Sequence, residues 1–138
     1  MKKVLTVLGL IALSASAAAN SLQVKVASLD AGTLVAENSP QAQRAAAALK
    51  AASQRCTVQG QRLADQAVVT AQEVAKQGRP ASIVEILEGL DAALANAPAP
   101  RDCATVLTAY TSLRRDGHSH SHAVVMLRSV DKAITAQK

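Results

Sequence analysis

Twice in this chain a helical pattern ends on basic residues, a glycine follows, and a polar cap opens the next apolar stripe. The two stretches are Val74 to Ser82 (VAKQGRPAS) and Leu113 to Ser121 (LRRDGHSHS). A basic last turn suits the negative end of a helix, and glycine takes the left-handed conformation that stops it. A Ser cap then satisfies the first free N–H groups of the helix that follows. Such punctuation predicts two helical hairpins, and so a mainly α fold: a small four- to five-helix bundle.

The rest of the chain fits around those hairpins. Ser39 and Pro40 open a helix, with the proline at a first-turn position that needs no N–H. An apolar stripe through Leu49, Cys56, Leu63, Ala67 and Val74 carries the pattern to Gly78. One continuous helix over 40–77 would be about 57 Å long, against a domain only about 35 Å across. A break is therefore expected near Thr57–Gly60, where the residues are poorer helix formers. The next helix runs from Pro80 to about Ala95; Ser82 and Glu85 match a capping box, and Pro80 at the first turn is an equally good start. After a stiff linker at 97–100, Asp102 caps a helix with Cys103, Leu107, Tyr110 and Leu113 on its buried side. A last helix, from Ser119 or Ser121 to Ala136, presents Ala123, Met126, Leu127, Val130 and Ile134. Residues 20–38, where Leu22, Val24 and Val26 alternate with polar residues, read instead as a short extended arm or hairpin.

Residues 1–19 read as a secretory signal peptide: Lys2 and Lys3, an apolar stretch from Val4 to Leu13, then small residues before the cleavage point. That stretch is shorter than the roughly 20 residues a spanning helix needs. No later segment is long and apolar enough to span, so a periplasmic or secreted product without a transmembrane segment is expected, with 39–138 as its helical domain. Export makes a disulfide between the two cysteines, Cys56 and Cys103, the simplest reading. The bond would join the first members of the two hairpins at the edge of the core. It matters because the core is thin, rich in alanine, with one tyrosine and no phenylalanine or tryptophan.

The chemistry is sparse. There is no nucleophile elbow, zinc-protease helix or phosphate loop, and the carboxylates are scattered, with Glu85 and Glu88 suited to capping and solvation. Enzymatic function is not expected. Without the leader the charge is about +3, its basic residues are spread out, and a base-stacking platform is missing, which argues against nucleic acid. All three histidines lie in DGHSHSH, Asp116 to His122. In extended form Asp116, His118, His120 and His122 share a face and could converge on zinc or copper. In a helix the set splits, His118 pairing with His122 and Asp116 with His120. The same segment also reads as a solvated interhelix turn, or as a pH-responsive one. With no cofactor required, the sequence points to a small exported protein that works by binding another protein, as an adaptor, inhibitor, immunity or chaperone-like factor. Metal binding or a pH response at the histidines is the alternative.

Overall fold

A computed structural model describes residues 21–137; the leader assigned from the sequence lies outside the described residues. Six helices make up the fold: α1 (Leu22–Ala31), α2 (Pro40–Arg55), α3 (Gly60–Lys76), α4 (Ile83–Leu94), α5 (Cys103–Arg115) and α6 (His120–Ala136). Among the described residues there is no strand. The two hairpins are α3–α4 and α5–α6, and they lie side by side, α3 against α5 and α4 against α6. Helix α4 touches all five others. Its Ile86, Leu87, Leu90 and Leu94 form the middle of the core, which explains why it is the most apolar of the six.

Helix α1 corrects the expected arm. It packs against α2, α3 and α4, and buries Val24 and Ala27 on one side with Val26 on another. A helix covered on several sides has little net amphipathicity, so its apolar residues fall in an order that imitates strand alternation. Its last turn is also tied down. The Asp30 carboxylate accepts hydrogen bonds from Ile83 N at 2.6 Å and Val84 N at 3.0 Å, the first two amides of α4. The expected capping box completes that end: Ser82 Oγ accepts from Glu85 N, and Glu85 Oε2 accepts from Ser82 N. Three free amides of α4 are thus met by side chains, one set from a helix fifty residues upstream. Caps of this kind each contribute about 1 kcal/mol.

Helix α2 begins as expected, with Ser39 Oγ accepting from Ala42 N and Pro40 at the first turn. Its buried face is Ala42, Ala45, Ala48, Leu49 and Ala52, short side chains that let it lie close to α4. Arg44–Glu88 and Arg55–Asp91 ion pairs edge that contact, at 2.7 Å and 2.9 Å. Being exposed or half-exposed, they add little to stability.

The break in the long helix falls where the sequence places it. Cys56 leaves the helix in extended conformation, and Gly60 restarts it at φ 58°. The chain here makes a parallel bridge with the linker before α5: Arg101 N donates to Arg55 O at 2.8 Å and Thr57 N to Arg101 O at 2.9 Å. Next to it lies the expected Cys56–Cys103 disulfide. The sequence set both cysteines on helical stripes at the core edge; the structure sets them at helix ends, fully buried, 1% and 0% exposed. Helix ends can go inside here because the bridge satisfies the backbone that the interruption frees.

Candidate functional site

The two glycine turns close alike. Arg79 N donates to Val74 O and His118 N to Leu113 O, both at 3.1 Å, with Gly78 at φ 72° and Gly117 at φ 102°. Each is a Schellman closure, which needs a left-handed residue after the helix. The turns are also joined to each other. Arg79 Nη1 donates to Gly117 O at 3.2 Å, and Arg114 Nη2 donates to Arg79 O at 2.8 Å. Each arginine thus holds the other hairpin's turn, and the histidine segment starts from a fixed point.

Helix α6 begins at His120, capped by Ser119 Oγ accepting from His122 N at 3.1 Å. The helical alternative therefore applies, and the four candidate ligands do not converge. His118 and His122 come together, Nδ1 to Nδ1 at 3.2 Å, with their rings edge to face and 4.8 Å between centroids. His120 points the other way, into the bundle. Asp116 is exposed at the end of α5 and makes no hydrogen bond with any imidazole. Among the described residues no group of three His, Cys, Asp or Glu side chains is arranged to hold a metal ion.

His120 sits over Gly89 of α4. A β-carbon on Gly89 would stand 3.0 Å from Val124 Cγ2 and 3.2 Å from His120 Cε1, a tight fit in which both side chains would have to yield by a few tenths of an ångström. His120 Nδ1 lies 2.8 Å from the hydroxyl of Tyr110, the sole aromatic residue, which is itself buried. Arg114, 6% exposed, donates to the same hydroxyl oxygen at 3.5 Å and lies 5.9 Å from the centre of its ring. The phenol can donate to His120 Nδ1 or accept from it, according to the tautomer of the imidazole. Burial holds the His120 imidazole below its usual range, and Arg114 adds to this, while Glu85 and Glu88 on α4 pull the other way. Burial likewise raises the Tyr110 phenol, against the opposing charge of Arg114.

A pH dependence follows. The unfolded chain takes up this proton near the ordinary histidine value, about 6.5, and the folded chain only at lower pH. The contribution of neutral His120 is thus fully present above that value and is lost as pH falls through it. In metal-free protein the urea midpoint should fall between about pH 7.5 and 5.5, and should fall less in His120→Asn. Equal slopes for both proteins would remove His120 from the account.

The sequence missed Gly89, Tyr110 and the burial of Arg114 as parts of this cluster. One signal was present: the only aromatic residue stands ten positions before His120, across a tight turn.

A second feature lies at the far end of α6. Val130 and Ile134, expected on the buried stripe, are 57% and 49% exposed. The stripe is real, but α5 alongside it leaves these two side chains open to solvent. Below these residues runs an apolar groove of about 280 Å³ between α5 and α6, lined by Leu94, Val106, Ala109, Leu127, Val130 and Ile134. Asp102, Thr105 and Asp131 also line it, with Arg101, whose Nε donates to Asp131 Oδ1 at 2.8 Å and whose Nη2 donates to Thr135 Oγ1 at 3.0 Å. A larger cleft, about 560 Å³ between α3 and α5, is lined by Val69, Ala104 and Leu107 among polar and charged side chains, Asp65, Glu73 and Arg115 included. Its lining is more polar than that of the α5–α6 groove. No protein-family model, curated protein or solved structure matches the chain.

Proposed function

We propose that this is an exported helical protein that works by binding another protein, and that the α5–α6 groove receives an amphipathic helix of that partner. The observation that carries the reading is the uncovered end of α6. Leu127, Val130 and Ile134 recur at helical spacing along one edge of an apolar channel, and α6 is tied beside it to Arg101 in the linker before α5. A groove between two helices is the shape that a third helix fills, reading it through anchors at i, i+3 and i+7. Single exposed apolar residues are ordinary on a protein surface; a row bordering a concave apolar channel is what marks an interaction site. The buried disulfide and the absence, among the described residues, of any helix long and apolar enough to cross a membrane are compatible with export.

The test is placement of a photo-crosslinking residue at Val130, and separately at Val69 on α3, which is equally exposed. A discrete adduct is expected from position 130 and not from 69. The double variant Val130→Asp, Ile134→Asp should weaken the same partner's binding at least about tenfold, with unfolding midpoint unchanged. Adducts alike from both positions, or binding indifferent to the double variant, would sink the proposal.

A further inference from the structure

The three histidines divide into one that the fold uses and two that it does not. His120 is consumed by the Tyr110–Arg114 cluster and its seat over Gly89. His118 and His122 face away from the core, and no packing contact requires them to be imidazoles. Yet their Nδ1 atoms stand 3.2 Å apart. Two imidazole nitrogens bound to one tetrahedral zinc, each at about 2.0–2.1 Å, are separated by roughly 3.3 Å. The pair is therefore already at the bite of a metal ion.

We propose that His118 and His122 form a two-imidazole site for a borderline divalent ion, zinc or copper, held through their Nδ1 atoms, with His120 and Asp116 outside it.

The contact is a place where a cation belongs. Two neutral imidazoles can approach Nδ1 to Nδ1 only if one carries a proton on that atom and donates it to the other's lone pair. A metal ion takes the place of the shared proton, and both lone pairs then turn toward it. The turn is small, since the ring torsion of histidine is broad and neither ring is enclosed. The backbone supplies the preorganisation: Gly117 at φ 102°, held by Arg79, sets His118 before the helix, and the Ser119 cap sets His122 one turn inside it. Imidazole donors suit zinc and copper and are poor ligands for magnesium or calcium, which select oxygen.

Affinity is limited from two sides. The chain supplies two ligands, leaving the other positions to water. Arg79, whose guanidinium reaches Gly117 O, and the positive end of α6 oppose the charge of the ion. Against closed four-ligand zinc centres, a Kd of about 1–100 µM is expected. The site is independent of the α5–α6 groove, so either proposal can fail alone.

The experiment is calorimetric titration of the tag-free protein, residues 20–138, with zinc alone, alongside long-range ¹H–¹⁵N spectra of the imidazoles. One ion per chain is expected, with Nδ1 of His118 and His122 moving on saturation and Nδ1 of His120 unmoved. His118→Ala and His122→Ala should each weaken binding at least about tenfold with the unfolding midpoint retained, since neither side chain is part of the core. No saturable binding below millimolar zinc would overturn the proposal. So would binding that survives both substitutions, or a His120 Nδ1 signal that shifts with the other two, which would mean a rearranged three-histidine site.

Discussion

Replacing Cys56 and Cys103 together by alanine is expected to lower stability by about 4 kcal/mol, the value the chain-entropy account assigns to a closed loop of this length. The bond joins residues 47 apart, and the loop between them holds α3, α4 and the middle of the core. Cut, it frees the unfolded chain to explore far more arrangements, while the folded chain keeps its contacts. Against a usual total of about 5–15 kcal/mol, that is a large part of what keeps the protein folded. The result should appear as a fall in Tm of at least about 10 °C, or as a lower urea midpoint. The same burial predicts a kinetic signature. A reductant cannot reach sulfur atoms sealed at two helix ends, so dithiothreitol should act slowly on the native protein and fast once urea opens it. A double variant within about 1 kcal/mol of the parent would mean that the parallel bridge at Arg101 does the bracing without the bond.

Leu87→Ala should cost at least as much, within about 3–5 kcal/mol. Leu87 is fully buried on the helix that touches all the others. The loss has two parts, the transfer of the removed carbons and the cavity left behind, and the second depends on whether neighbours can collapse into the space. Here many of them cannot. The buried faces are rich in alanine, among them Ala42, Ala45, Ala48, Ala52, Ala64, Ala67, Ala93 and Ala123, whose side chains have no torsion with which to reach inward. The cost should therefore lie toward the upper end for a leucine. Urea unfolding monitored by circular dichroism measures it; a loss below about 1.5 kcal/mol would show that the helices themselves shift to close the gap.

Much of the fold was legible because its boundaries are made of local chemistry. Ser39 with Pro40, Ser82 with Glu85, Asp102, and the two glycine turns each act on backbone groups within a few residues, and each appears where its sequence places it. The interruption near Thr57 was legible for another reason, the mismatch between a long helix and a small domain. What could not be read depends on neighbours distant in the chain. Helix α1 hides its period because it is covered on several sides. Arg114 looks like a solvent-facing C-terminal charge until Arg79, from the other hairpin, provides a carbonyl for it. The stripe on α6 tells which side of the helix is apolar, but not that its neighbours leave Val130 and Ile134 exposed. In the histidine segment the spacing allowed two outcomes, and the position of one serine cap decided between them: with Ser119 at the start of α6, His118 and His122 pair and His120 turns inward.

The disulfide also divides the chain, as connected matter, into one ring and two tails. Residues 56–103 close on themselves; α1 and α2 hang from one side, α5 and α6 from the other. A protease that nicks the turn at 78–81 therefore leaves a single covalent molecule, its halves still stitched through sulfur. A nick at 117–119, in a turn built in the same way, sets α6 loose, and with it Val130, Ile134 and His122. Two turns alike in backbone and joined by their arginines thus differ wholly in what their scission would release: the first would give up nothing, the second the α6 wall of the groove proposed to meet a partner.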